Sequence, residues 1–304
     1  MFNKKLIWKE IEKEGLDNEI KCKELMKLHT SWKIGGIADF FCIPKSEEIL
    51  KKILSFALEH EIPVYIIGNG SNILVPDEGL RGLVVKVSGT LDKIEYSDKM
   101  IKVGAGILLS SLVRSIIKKQ LSGIEFATHI PGTLGGAIKN NASFGYASMA
   151  DIVKKIEIFN YGTGKSYEIG EEGYTFVYRG IKLGIKNFVI TSAYLNLVEK
   201  DKGYIISKIK EFYNIRKKKQ PIEQLSAGCV FKNHKLNPAG YLIEKAGAKG
   251  LTVGDAQVSM KHANFIINRG NATAGDILKL IEEVEKRVEN YFGIKLEREI
   301  NIIG

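Results

Sequence analysis

The 304-residue sequence predicts an α+β fold with mixed sheets, on three observations. Short β-type apolar runs follow one another without a helix between them at 83–87, 94–96 and 101–103. Helical periodicity occupies separate stretches, at 107–120, 202–219 and 274–291. No repeat of 20–50 residues is present, so solenoids and propellers are excluded. A hydrophobic content of 44% is enough to bury a core without disulfides or metals.

In chain order, the first thirty residues read as one or two charged helices. A strand is expected at 37–43. The next helix starts after Ser46, whose hydroxyl suits an N-cap, with Glu47 and Glu48 at the positive end. Pro63-Val64-Tyr65-Ile66-Ile67 reads as a buried strand leading into Gly68-Asn69-Gly70-Ser71-Asn72 and a second apolar run, Ile73-Leu74-Val75. After the helix at 107–120 comes another glycine-rich stretch, Ile130-Pro131-Gly132-Thr133-Leu134-Gly135-Gly136-Ala137. Strands fit 153–159 and 188–197. The basic helix at 202–219 marks a shift in composition and a candidate domain boundary. A long helix at 274–291 and a final strand at 294–303 complete the chain.

Composition narrows the function classes. Charged residues are 26% of the chain, near the globular average of ~25%, which excludes bulk disorder. Glycine, at 31 residues, exceeds its usual ~7% share and calls for tight turns or close approach to a ligand. The net charge of +10 is spread in pairs such as Lys4-Lys5, Lys51-Lys52 and Lys118-Lys119, and only Arg216-Lys217-Lys218-Lys219 is dense. A nucleic-acid surface would concentrate its basic residues among stacking aromatics, so no nucleic-acid partner is expected. Attraction of small anions such as phosphates is the sharper reading. Cys22, Cys42 and Cys229 are too widely spaced for a disulfide framework or a metal pair, and the five histidines are scattered, so no metal is expected. No run approaches the ~18 apolar residues of a membrane helix, and residues 1–14 lack the apolar core of a signal peptide. A cytoplasmic protein without membrane insertion is expected.

The two glycine clusters are the strongest chemical signal. Without a Cβ, consecutive backbone N–H groups can approach a phosphate. The first cluster lies between two strand-like runs rather than between strand and helix, which excludes a Rossmann unit, and no P-loop lysine is present. Two such loops some sixty residues apart suit one extended phosphate ligand.

These loops resemble the two-loop FAD site of the p-cresol methylhydroxylase and vanillyl-alcohol oxidase type. Further stretches narrow the resemblance to the UDP-N-acetylenolpyruvoylglucosamine reductase (UDP-N-acetylmuramate dehydrogenase) family. They are Thr30-Ser31-Trp32-Lys33-Ile34-Gly35-Gly36, Tyr178-Arg179-Gly180, Ser226-Ala227-Gly228-Cys229-Val230-Phe231-Lys232-Asn233, Gly254-Asp255-Ala256-Gln257-Val258-Ser259, His262-Ala263-Asn264-Phe265 and Leu296-Glu297-Arg298-Glu299. The short run from Asn233 to Gly240 resembles the compact second type of the family. The resemblance implies a helical segment at 1–30 and a two-subdomain FAD-binding module of the p-cresol methylhydroxylase type at 31–198, divided near 90. A C-terminal α+β substrate-binding domain at 199–304 follows. It also implies non-covalent FAD, NADPH as co-substrate, a UDP-sugar substrate and a monomer.

The implied reaction adds a hydride to an enol ether and builds negative charge on a carboxylate, which needs a cation and an acid. By resemblance, Arg179 supplies a permanently charged planar fork. Cys229 stands at the proton donor's position, usually serine. A thiol, with an ordinary pKa of ~8.5, is protonated at neutral pH and can donate. Glu299 is the carboxylate implied near the C-terminus. Glu297 is its neighbour on one face of the expected strand, and spacing alone does not separate the two. Gly68, Asn69, Gly70, Ser71 and Asn72 are implied to face the flavin pyrophosphate, with Pro131, Gly132, Gly135, Gly136 and Asn141 on the second loop. Arg216, Lys219 and Asn233 are implied for the UDP and carboxylate ends of the substrate. His262 is expected to be a packing residue. Ile181, Ser143 and His234 depart from the family pattern, which more often has serine, glycine and proline there.

Overall fold

The computed structural model describes residues 3–97 and 100–304. The beginning of the N-terminal segment, Met1 and Phe2, lies outside them. The chain forms two compact units, one of residues 1–22, 39–69 and 82–214 and one of residues 23–38, 70–81 and 215–304.

In the first unit the opening helix, Lys4–Lys13, starts at Asn3, whose side chain accepts from Lys5 N. It ends before Gly15, which takes φ +66. One expectation is corrected here. The described part of segment 1–30 is not α-helical beyond this one helix but continues as the strand Ile20–Leu25, because the left-handed glycine turns the chain out of the helix. That strand leads a four-stranded sheet followed in space by Ile37–Cys42, Leu80–Lys86 and Val64–Ile67, the last two parallel. Ser46 caps the helix Glu47–Glu59 by accepting from Ile49 N at 3.2 Å. Its Leu50, Ile53, Leu54, Phe56 and Ala57 recur at helical spacing and bury one face. A hydrophobic cluster collects this face with Phe40, Leu83 and Val85.

The rest of the first unit is a five-stranded antiparallel sheet in the order Lys165–Gly170, Val153–Asn160, Phe188–Leu195, Ile101–Gly104, Ile94–Tyr96. The helix Leu109–Lys118 buries Leu109, Leu112, Val113 and Ile116 in a second cluster with Ile156, Ile158 and Leu195. The helix Lys202–Lys219 has the bounds read from the sequence. Not foreseen were the strand Lys165–Gly170, whose residues are mostly exposed, and a small hairpin, Thr175–Val177 with Gly180–Lys182.

The second unit holds a four-stranded antiparallel sheet in the order Leu225–Cys229, Phe265–Asn268, Ala256–Val258, Thr252–Val253. Its long helix, Ala274–Phe292, is fixed at both ends. Thr273 and Asp276 form a capping box, and Gly293 closes it at φ +67. Asp77 adds a second brace, accepting from Ala274 N at 2.8 Å and Gly275 N at 3.0 Å. Trp32 is fully buried beneath this sheet's cluster. It donates its indole N–H to Ile266 O at 2.8 Å, and its own carbonyl accepts from Asn268 Nδ2 at 2.9 Å.

The expected terminal strand at 294–303 is also corrected. Only Asn301–Ile302 is a strand, parallel to Ile73–Leu74. Upstream, one isolated bridge joins Arg298 to Phe231. Between them the chain is held by single backbone bonds, such as Glu299 N to Val230 O at 2.7 Å, rather than by a continuous ladder.

Candidate active site

The first glycine cluster begins where the strand Val64–Ile67 ends. A Cβ on Gly68 would lie 2.5 Å from Thr133 Oγ1 and 3.3 Å from its methyl group. The two loops, 65 residues apart in sequence, therefore touch within the first unit, and only glycine allows the contact. The second loop is pinned from behind. Leu109 N donates to Gly132 O at 3.0 Å, Leu134 N to Ile107 O at 3.0 Å and Gly135 N to Ala105 O at 2.8 Å. Thr133 caps the short helix Leu134–Lys139, accepting from Gly136 N at 3.3 Å. Gly135 is thus anchored through its amide, while Pro131 and Gly136 lie exposed and Gly132 adopts φ +133. A loop this rich in glycine and held by its own backbone fits a pyrophosphate.

The first cluster is divided between the units. Asn69 closes a segment of the first unit, and Gly70, Ser71 and Asn72 open a segment of the second. Gly70 has φ +64, a Cβ there would collide with the carbonyl of His29, and its own carbonyl accepts from Ser31 N at 3.0 Å. Glycine at 70 is therefore required by the chain itself, before any ligand is considered. Asn72 ties into the C-terminal segment, donating Nδ2 to Glu299 O at 3.2 Å and accepting from Asn301 N at 3.0 Å.

In the second unit the segment that carries Cys229 is bonded to the segment that carries Glu299. Gly228, at φ +79, sits in a register shift between Ser226 and Cys229, a β-bulge that re-aims the strand end. Cys229 is half-buried there. The next residue, Val230, donates to Asn264 O at 2.9 Å and accepts from Glu299 N at 2.7 Å. The Asn264 side chain locks the following residue on both sides, accepting from Phe231 N at 2.9 Å and donating to Phe231 O at 2.8 Å. The C-terminal segment is held in turn by Arg298, bidentate to Glu285 at 2.6 and 2.7 Å. Glu297 and Glu299, equivalent by spacing, differ in place. The Glu297 side chain is 73% exposed and paired with Lys232, whereas Glu299 is half-buried beside the Cys229–Val230 backbone. His262 packs edge-on against Phe265 at 5.0 Å, and burial lowers its pKa below the ordinary histidine value.

Arg179 lies in the first unit, as the second residue of the two-residue turn between Thr175–Val177 and Gly180–Lys182. Its φ of +56 is left-handed, costing a non-glycine residue about 1 kcal/mol or more. Its guanidinium donates from Nη1 to Ser143 Oγ at 2.9 Å and lies 5.6 Å from the Tyr178 ring. Asn141, expected on the flavin loop, has both ends of its amide engaged with the protein. Nδ2 donates to Val177 O and Oδ1 accepts from Ala150 N, each at 3.1 Å. It braces the base of the arginine's turn.

Of the residues read for substrate, Arg216 is 7% exposed and donates Nη1 to Gln220 Oε1 at 3.2 Å. Lys219 is exposed. Asn233 Oδ1 accepts from Ala239 N at 3.0 Å, at the start of the helix Ala239–Lys245. A cavity of about 420 Å³ in the second unit is lined by Lys217 and Lys261 together with Gln257, Ser259 and Met260. Its basic residues were not singled out from the sequence. Lys217 lay within a recognised basic run, but nothing local marked Lys261.

Comparison with known proteins places the chain in a family. Residues 38–170 match the FAD binding domain, and residues 220–303 match the UDP-N-acetylenolpyruvoylglucosamine reductase C-terminal domain. The UDP-N-acetylenolpyruvoylglucosamine reductase of Desulforamulus reducens is 42% identical over 286 residues, covering 94% of both chains. The chain belongs to the UDP-N-acetylenolpyruvoylglucosamine reductase family. The Clostridioides difficile member is 41% identical, again over 94% of each chain. The crystal structure of the Thermus caldophilus enzyme superposes with a TM-score of 0.81 at 36% identity, over 94% of this chain and 99% of that one. The fold is therefore an FAD-binding domain joined to the C-terminal domain of this reductase family. The protein is an FAD-dependent oxidoreductase of peptidoglycan precursor synthesis.

Proposed function

We propose that the protein reduces the enolpyruvyl group of UDP-N-acetylglucosamine enolpyruvate to give UDP-N-acetylmuramate, with NADPH as the electron source. The observation that carries the reading is the backbone bond from Glu299 N to the carbonyl of Val230, the residue after Cys229. It puts a thiol acid and a carboxylate on adjoining segments of one unit. The contact of Gly68 with Thr133 supports the flavin half.

Gly68, Asn69, Gly70, Ser71 and Asn72 with Pro131, Gly132, Gly135 and Gly136 would form the walls around the pyrophosphate of FAD, and Asn141 would stiffen them. When bound, FAD would supply the hydride for C3 of the enolpyruvyl group, with NADPH as the electron source. Arg179 meets the carboxylate whose charge grows during that addition, where a fixed, permanently charged fork is worth most. Cys229 delivers the proton to C2, and Glu299 orients the substrate beside it. Arg216, Lys219 and Asn233 hold the UDP and carboxylate ends of the substrate, and the cavity lined by Lys217 and Lys261 offers the diphosphate a basic wall. The flavin module falls within 31–198 and the substrate domain within 199–304. Among the described residues no helix is long and apolar enough to cross a membrane. A cytoplasmic monomer is part of the same proposal.

The test is NADPH oxidation by purified protein with and without the enolpyruvyl substrate. Oxidation that requires the substrate, by a yellow protein releasing FAD on denaturation, is the expected result. A colourless protein, or oxidation indifferent to the substrate, would overturn the reading.

A further inference from the structure

The Arg179 turn fixes where the arginine leaves the backbone, yet four rotatable side-chain bonds separate that point from the charge. An arginine meant to meet one carboxylate must lose that freedom beforehand, or each turnover repeats the ordering cost. One short segment removes it. Asn141 donates to Val177 O at the base of the turn, and two residues later Ser143 Oγ accepts from Arg179 Nη1 at 2.9 Å. Ser143 is itself placed by the strand Ser143–Phe144, paired with Ala147–Ser148 in the register Ser143↔Ser148. The backbone on both sides of this bond is also constrained, with Asn141 at φ +40 and Arg179 at φ +56. Two side-chain bonds, each spanning 36 positions and each donated by a left-handed non-glycine residue, describe a built clamp rather than a chance surface contact.

We infer that Ser143 is a positioning residue for the reduction, its hydroxyl oxygen holding the Arg179 guanidinium in the orientation that receives the substrate's carboxylate. The inference rests on the proposed role of Arg179, and the two are separable by experiment. Ser143→Ala, Ser143→Thr, Arg179→Lys and the double variant Ser143→Ala/Arg179→Lys are compared in anaerobic stopped flow. Flavin reduction by NADPH and flavin reoxidation by the enolpyruvyl substrate are followed separately, with melting temperature and flavin content as controls.

Ser143→Ala should slow reoxidation by ~10-fold or more, as displacement of a positioned group does. Flavin reduction, flavin content and melting temperature should stay near wild type. Ser143→Thr, which keeps the hydroxyl, should recover most of the rate. In the Arg179→Lys background, Ser143→Ala should add less than about twofold, because the group it positions has gone. Normal reoxidation by Ser143→Ala beside a slow Arg179→Lys would overturn the inference and leave the arginine's role intact. Full additivity in the double variant, or no rescue by threonine, would overturn it as well. Normal reoxidation by Arg179→Lys itself would remove both.

Discussion

Cys229 presents the sharpest residue-scale question, because a cysteine outside any disulfide is as often a small buried hydrophobe as an acid. Its position after the Gly228 bulge, half-buried and one residue from the Glu299 contact, favours the chemical role. A thiol that only protonates C2 is irrelevant to flavin reduction. Cys229→Ala should therefore be reduced by NADPH at nearly the normal rate in stopped flow. Its reoxidation by the enolpyruvyl substrate should be slower by ~10²-fold or more, the usual loss on removing a general acid. Cys229→Ser should regain much of that rate. Equal reoxidation by the alanine variant and wild type would return Cys229 to the core. Cys42 behaves otherwise, since burial raises its thiol pKa far above the ordinary value. It is expected to resist alkylation in the native protein.

Two elements carry testable strain and charge. The turn at Gly70 requires a left-handed residue without a side chain, since a Cβ would meet the His29 carbonyl. Gly70→Ala should therefore lower the melting temperature and the yield of folded protein even when FAD is in excess. A variant that folds normally and has lost only flavin would mean the glycine serves the ligand alone. On the five-stranded sheet, Glu157 accepts from Lys102 at 2.7 Å, Ser192 at 2.7 Å and Tyr194 at 3.0 Å. Burial pushes this carboxyl up, but the three bonds outweigh it and hold its pKa below the ordinary carboxylate value. Burial and the bond to Glu157 push the Tyr194 hydroxyl up to about 12. The folded state thus favours ionised Glu157 more than the unfolded chain does. That stabilisation is complete above the unfolded pKa of ~4.3 and is lost as pH falls through the lower folded value. Glu157→Gln should cost about 1 kcal/mol or less at pH 7, given its exposure. The deficit should shrink below pH ~4, and urea titrations at both pH values would show it. A deficit independent of pH would mean the loss is one of packing.

At the scale of the whole molecule, the second unit is assembled from three separated pieces, 23–38, 70–81 and 215–304. Its cluster contains Trp32, Ile34 and Leu74, and its long helix is braced by Asp77. A fragment of residues 215–304 would lack all four. Removing a buried tryptophan alone costs ~3–5 kcal/mol, a large part of a small domain's stability. That fragment should therefore show poor amide dispersion and no cooperative thermal transition. A cooperative melt would mean that the first two pieces are accessory to this core.

Elements whose signal is local were legible in the sequence. The Ser46 cap with Glu47 and Glu48, the apolar spacing of Ala274–Phe292 and the basic helix Lys202–Lys219 each carry their instruction within one or two turns of chain. The two glycine loops were legible as chemistry because glycine enrichment survives in composition alone. Elements defined by a partner were not. The terminal segment reads as a strand by alternation, yet it becomes one only at Asn301–Ile302, where a neighbour supplies a ladder. Glu297 and Glu299 are indistinguishable by spacing. Both bond through the backbone to the segment after Cys229, and they differ because the Glu297 side chain pairs with Lys232 at the surface while Glu299 is half-buried. Gly70 was read for its ligand, and the tertiary structure gives the nearer cause, a carbonyl forty-one residues upstream. The sequence by itself determined the α+β class and the family, and it named the residue types proposed for the site. The tertiary structure alone decided which of those segments meet and which residues serve as braces, because contacts across 36, 65 and 69 positions depend on the folded backbone and leave no periodic trace.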